Sequence, residues 1–233
     1  MLERRYGGLL PGPLRRRLMI VETVIESEVQ SFAAAIPAGA RVLDAGAGEG
    51  KHAHYFQHCR YVGVDLAVGS PDWDYSGLEM LADLSALPFP DHVFRGAVNI
   101  VVLEHTREPA RVLAEIARVL EPGARLLLIV PHEWEVHQSP HDFFRFTRHG
   151  VAWLLQQAGL AEIEIRPVGG YFTLLARRLL NSLNFFQGGL RWILFPFAAA
   201  TSGALAVILP SLDFLDTEKN FTLGYVCIAE KPR

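Results

Sequence analysis

Cysteine is nearly missing. Cys59 and Cys227 are the two thiols in 233 residues, and without a CxxC pair the chain offers no zinc ribbon or dithiol redox centre. Two isolated thiols fit reduced, buried side chains and a cytoplasmic location. A block of like charge is missing as well. Lys and Arg total 22 against 25 Asp and Glu, a formal net charge of -3, so the chain has no strong nucleic-acid signal. The nearest approach is the start, where Arg4, Arg5, Arg15, Arg16 and Arg17 surround YGGLLPGPL. A frayed, solvated arm is expected there. Pro11 and Pro13 break its apolar pieces, which argues against a secretory signal. Disorder as the main state is excluded by a composition 50% hydrophobic and 20% charged.

Apolar sequence is plentiful. WILFPFAAATSGALAVILP, Trp192 to Pro210, runs 19 residues without a charge, close to the ~20 that a membrane helix needs. Pro196 and Gly203 weaken an unbroken helix.

Along the chain, RLMIVETVIESEVQSFAAAI has helical spacing and stops at Pro37 and Gly39. ARVLDAG reads as a buried strand, KHAHYFQHC as a short helix and YVGVDLA as a second strand. LEMLADL, FRGAVNIVVLEH and ARLLLIVP follow as strands three to five, with PARVLAEIARVLEP as a helix between the last two. GVAWLLQQAGL reads as a helix, and AEIEIRPV and FTLGYVCIAEKP as the final strands. Near-continuous apolar strands alternating with amphipathic helices predict a parallel sheet covered on both faces.

The strongest chemical signal is VLDAGAGEG, Val42 to Gly50. Gly46 and Gly48 let the backbone approach a ligand, and Gly50 keeps the beginning of the next helix uncrowded. The spacing is GxGxG, not the GxGxxG of a dinucleotide site. Asp65 ends the second strand about twenty positions on, where a carboxylate can accept from ribose hydroxyls. The turn alone does not exclude NAD.

These residues, with YVGVDLA, ADLSALPFPDHVF, NIVVLEHTREP and IARVLEPGARLLLIVP, resemble the class I S-adenosylmethionine-dependent methyltransferases, in particular the compact methyltransferase type 11-like branch. The resemblance covers about Ala40 to Gly159 and resumes at the final strand. It implies an α/β fold: a Rossmann-like seven-stranded mixed sheet with an antiparallel last strand beside the fifth, and a helical insertion between the last two strands. Residues 1–39 would be an arm and helix, and 40–233 the methyltransferase domain, with 169–220 as its apolar helical insertion. The implied cofactor is S-adenosylmethionine and the product S-adenosylhomocysteine. By the same resemblance Asp44, Ala45, Gly46 and Gly48 surround the amino-acid end of the cofactor, Asp65 and Leu66 take its ribose, Asp83 and Leu84 lie beside adenine, and Asn99 to Val101 approach at the fourth strand's exit. Each has a plainer reading as a turn or cap residue.

Catalytic candidates are His105, at the end of the fourth strand, and His141 and Asp142 in HDFFRFT, a segment that resembles the acceptor side of some of these enzymes. Arg145 is a candidate anion holder there. Glu104 is expected to point away from His105, as neighbours do on an extended strand. The alternative for this segment is structural, with Phe143, Phe144 and Phe146 anchoring a loop and Thr147 capping a helix. HEWEVH is not HExxH, so no metal is expected.

The expected function is methyl transfer to a small-molecule or lipid-linked acceptor. An NAD-dependent oxidoreductase and a noncatalytic cofactor-binding or assembly protein are the alternatives. For the insertion, a single membrane crossing would separate the final strand from its sheet. A lid, a homo-oligomer interface or a peripheral membrane contact remain.

Overall fold

The computed structural model describes residues 17–233, so Arg4, Arg5, Arg15 and Arg16 of the basic arm lie outside it. Two compact units are formed. One comprises residues 25–166 and 224–233; the other comprises 167–223 with the described residues up to Val24. The division falls within the first helix, α1 (Ile20–Ala34), where the sequence reading places a boundary at 39/40.

The larger unit carries the sheet. Its strands are β1 (Arg41–Ala45), β2 (Arg60–Asp65), β3 (Met80–Leu81), β4 (Phe94–Ile100), β5 (Leu120–Pro131), β6 (Ala161–Pro167) and β7 (Gly224–Glu230), in the order β3-β2-β1-β4-β5-β7-β6. β1 pairs parallel with β2 and β4, and β4 with β5, whereas β7 runs antiparallel to β5. This is the seven-stranded mixed sheet expected from the sequence. Its central strands are apolar on both faces because both faces are covered: Leu43, Val64, Ala97, Leu126, Leu127 and Leu128 have no exposed surface. Each leucine buried this completely contributes about 1.5–3 kcal/mol.

α2 (Pro109–Val119) starts on a proline at its first turn, where no N–H is needed. Its stripe of Val112, Leu113, Ile116 and Ala117 is buried. On the same helix Arg118 donates to Glu115 and Asp91 and to the carbonyls of Leu87 and Phe89, which ties the approach to β4 onto the helix. α3 (Arg148–Gln157) is capped by the Thr147 hydroxyl, which accepts from the Gly150 amide at 3.0 Å.

Two expected elements shrink. KHAHYFQHC forms only a 3-10 turn, Ala53–Phe56, anchored by buried Phe56. LEMLADL pairs over two residues, because the Asp83 carboxylate accepts the Ser85 amide and turns the chain away.

The smaller unit contains α4 (Tyr171–Ser182), α5 (Phe195–Ile208) and 3-10 turns at Leu183–Phe186, Gly189–Ile193 and Leu209–Leu215. The Asp213 carboxylate accepts the amides of Gly170, Phe172 and Thr173 and the Thr173 hydroxyl. Asp216 accepts the Tyr171 amide. Two carboxylates thereby satisfy the open amides at the start of α4, where negative charge also suits the helix dipole. Among the described residues, Phe195–Leu215 is one helical stretch of 21 residues long and apolar enough to cross a membrane, and 11% of its most apolar window is buried. Phe197, Ile208, Phe214 and Leu215 are exposed on it.

Candidate active site

The strand order reverses between β1 and β4. In open α/β sheets that is where a crevice forms beyond the strands' carboxyl ends. The chain leaves β1 through Asp44–Gly50 and leaves β4 through Asn99–His105, so the two segments are neighbours at that edge.

At β1 the glycines do what the sequence requires. Gly46, Gly48 and Gly50 all have positive φ, at 95°, 55° and 71°. A Cβ on Gly46 would lie 2.4 Å from the Val102 methyls, and one on Gly48 would press on the Trp73 ring at 3.3 Å. The amides of Gly46 and Ala47 both donate to the Val64 carbonyl. Asp65, at the end of β2, holds the same turn: one oxygen accepts the Gly48 amide at 2.9 Å, the other the Ala67 amide at 2.8 Å. A carboxylate has further lone pairs for a ligand hydroxyl. Leu66 beside it is exposed and Leu84 is buried. The Asp83 carboxylate accepts the Ser85 amide at 2.8 Å, in a turn with no helix after it.

Asp44 is buried, with the Tyr61 hydroxyl donating to it at 2.8 Å. Burial pushes its carboxyl up to about 7; the Tyr61 hydrogen bond opposes this, and the charges of Asp65 and Glu79 add to it. Asn99 is fully buried and donates to the Ala45 carbonyl at 2.7 Å, while its own side-chain oxygen has no partner among the described residues. Val101 takes φ 56°, a left-handed backbone that a β-branched residue adopts only under constraint. Such outliers gather at binding sites. A buried carboxylate short of a counter-charge, an orphaned amide oxygen and a glycine cradle fit a nucleoside carrying an α-ammonium group on an amino-acid end.

Beyond β4 the chain forms a 3-10 turn at Leu103–His105. Glu104 and His105 therefore turn to the same place instead of opposite faces, correcting the expectation from an extended strand. His105 Nε2 and His137 Nε2 each lie 3.6 Å from Glu104 Oε1. His137 was missed as a site residue because only the return of the loop after β5 brings it here.

HDFFRFT closes this loop. The Phe143 and Phe144 amides donate to the Glu104 carbonyl. Of the expected anchors, Phe146 is buried whereas Phe143 and Phe144 are exposed. His141 contributes its backbone carbonyl to His105 Nδ1, and its ring stands edge-on to Phe143. Asp142 is gripped by both Arg145 terminal nitrogens and also accepts the His137 amide. The Arg145 hydrogen bonds hold its carboxyl far below the usual carboxylate range, which removes the basicity that proton abstraction needs. Arg145 itself also donates to the carbonyls of Trp134, Phe144 and Glu135. That spends its guanidinium on the loop, not on an anion.

The fold is that of the class I, Rossmann-like methyltransferases, whose cofactor is S-adenosylmethionine, with a glycine turn at the strand-order reversal. The match to known proteins agrees: residues 43–128 fit the family model described as "Methyltransferase domain". A probable S-adenosylmethionine-dependent methyltransferase of Mycolicibacterium smegmatis is 34% identical over 144 residues, 58% of this chain and 56% of that protein. A demethylmenaquinone methyltransferase of Symbiobacterium thermophilum is 28% identical over 52% of each chain. Among solved structures, the Burkholderia thailandensis 1,6-didemethyltoxoflavin-N1-methyltransferase, with bound 1,6-didemethyltoxoflavin and S-adenosylhomocysteine, shares the fold at TM-score 0.52 and 19% identity, covering 99% of this chain and 83% of that one. The chain spans between 28% and 56% of the first four curated relatives.

Proposed function

We propose that this chain is an S-adenosylmethionine-dependent methyltransferase acting on an apolar or amphipathic small molecule. The observation that carries the proposal is the Gly46–Gly48 turn held open by Asp65 at the strand-order reversal. When bound, S-adenosylmethionine supplies a sulfonium methyl to the acceptor and leaves as S-adenosylhomocysteine. The turn from Asp44 to Gly48 would hold its amino-acid end, with Asp44 as counter-charge. Asp65 would accept from the ribose hydroxyls, with Leu66 beside it, and Leu84 and Asp83 would flank the adenine. Asn99 fixes the Ala45 carbonyl, and strained Val101 sets the wall opposite. Precise placement of an acceptor against a reactive methyl supplies much of the rate in such a transfer.

On the acceptor side, His105 is a positioning residue: its Nδ1 donates to the His141 carbonyl and its Nε2 is buried 3.6 Å from Glu104 Oε1. His141 would act through that carbonyl, and Asp142 through Arg145 and the His137 amide, as positioning residues.

Two features support an amphipathic acceptor: exposed apolar side chains between Phe195 and Leu215, and relatives named for demethylmenaquinone and fatty-acid methylation. The smaller unit would serve as a peripheral membrane contact from which such a molecule is collected.

Calorimetry with S-adenosylhomocysteine tests the cofactor reading. Saturable binding is expected, weakened at least ~10-fold by Asp65→Ala through loss of charge-assisted hydrogen bonds; folded protein that binds neither adenosyl ligand sinks it. Labelled-methyl transfer into a quinone and lipid extract tests the acceptor. Co-sedimentation with anionic vesicles, reduced by Phe197→Ser with Phe214→Ser, tests the membrane contact.

A further inference from the structure

The cluster at Glu104 presents an electrostatic conflict. His105 Nδ1 is bonded to the His141 carbonyl and His137 Nδ1 to the Glu135 carbonyl. A carbonyl only accepts, so each Nδ1 carries the proton and each neutral ring turns the Nε2 lone pair inward. Both lone pairs face Glu104, a residue with no exposed surface. Among the described residues, neither Glu104 oxygen and neither Nε2 has a hydrogen-bond partner. With both rings neutral, three buried acceptors converge with no donor among them. An isolated buried carboxylate costs several kcal/mol, and the Arg145 charge acts on Glu104 only through space, because its hydrogen bonds go to Asp142 and to backbone carbonyls.

We propose that Glu104, His105 and His137 form a binding site for one divalent transition cation, with one carboxylate oxygen and two imidazole Nε2 atoms as ligands. The three donor atoms lie within 4.8 Å of one another, and the two nitrogen–carboxylate separations are 3.6 Å. Zinc bonds of ~2.0–2.2 Å put adjacent tetrahedral ligands ~3.3–3.5 Å apart, so small side-chain rotations close the site. The outer ring is already built, since ligating histidines characteristically give their second N–H to a backbone carbonyl or carboxylate. Here both do so, and Asp142 further fixes His137 by accepting its amide. Three protein ligands leave a coordination position open for a water or substrate oxygen. Two imidazoles and one carboxylate suit zinc, iron(II) or manganese better than calcium or magnesium.

The site was obscured in the sequence because HEWEVH spaces its histidines wrongly for a single helix. The actual ligands come from two strand ends 32 positions apart.

The test uses the whole chain without an affinity tag, stripped by chelator and dialysed against zinc or manganese chloride. Elemental analysis is expected to find one equivalent per chain. Glu104→Gln and His137→Gln are each expected to weaken binding at least ~10-fold, with circular dichroism confirming that they fold. If the variants do not fold, cobalt(II) titration of the unmodified protein replaces them, and a stoichiometric visible ligand-field band with nitrogen coordination is expected. Absence of stoichiometric metal in folded protein, or binding that survives both substitutions, overturns the proposal. So does nitrogen NMR showing both nitrogens of His105 and His137 protonated in metal-equilibrated protein, since the cation would then be the proton.

Discussion

Asp44 makes cofactor affinity depend on pH in a calculable way. Burial raises its carboxyl from 3.8 to about 7, so at pH 6 the free protein carries it mostly neutral and at pH 8 mostly ionised. The α-ammonium of the cofactor's amino-acid end prefers the ionised form. Affinity for S-adenosylmethionine is therefore expected to fall ~10-fold from pH 8 to pH 6, about 1.4 kcal/mol, and binding at pH 7 is expected to release about half a proton. Calorimetry in two buffers of different ionisation enthalpy reads both quantities. Stability moves oppositely. Because the folded carboxyl titrates above its unfolded value, its contribution is complete below pH ~4 and is lost as pH rises through ~7, with at most about 4 kcal/mol forfeited. Asp44→Asn stays neutral throughout, so without cofactor it should melt above the unsubstituted protein at pH 8 and match it near pH 4. A cofactor dissociation constant flat from pH 6 to 8, or a slope that persists in Asp44→Asn, refutes the assignment of the charge to this residue.

Gly46→Ala should cost more than ~2 kcal/mol and abolish cofactor binding, since it meets both the positive φ and the Val102 methyls. Adding Val102→Ala should restore part of the stability in a denaturant titration, and a neutral Gly46→Ala would show that the turn is not built this way. Asp213→Ala should destabilise the smaller unit by roughly 2–3 kcal/mol through its lost amide bonds. Faster hydrogen exchange at Gly170, Phe172 and Thr173 is the readout, and unchanged exchange there would count against the cap. Thr147→Ala should cost ~1 kcal/mol as a lost N-cap, measured by thermal unfolding.

How much was legible in the sequence depends on how local the determining physics was. The glycine turn, Asp65 and the order of strands come from short-range patterns: positive φ at fixed offsets and apolar runs covered on both faces. β3 was over-extended because period and propensity carry no warning that the Asp83 carboxylate will take the Ser85 amide and end the strand. The division within α1 was hidden because its apolar spacing is continuous across Val24 and Ile25.

The histidine cluster was invisible for a sharper reason. Reading VVLEH as extended strand assigns Glu104 and His105 to opposite faces, an inference that fails because Val101 adopts a left-handed conformation and the chain then enters the 3-10 turn Leu103–His105. Local statistics exclude that state for valine. It is imposed from outside: the Val101 amide donates to the Ile129 carbonyl on β5, keeping the pairing while the chain breaks from the strand. The same β5 then delivers its loop back so that the Phe143 and Phe144 amides close on the Glu104 carbonyl. One backbone contact between strands thus turns two residues that seemed to diverge into a shared pocket wall, and the returning loop brings the third. Chemistry assembled by tertiary constraint against local preference cannot be read from spacing, and in this protein it lies beside the crevice edge.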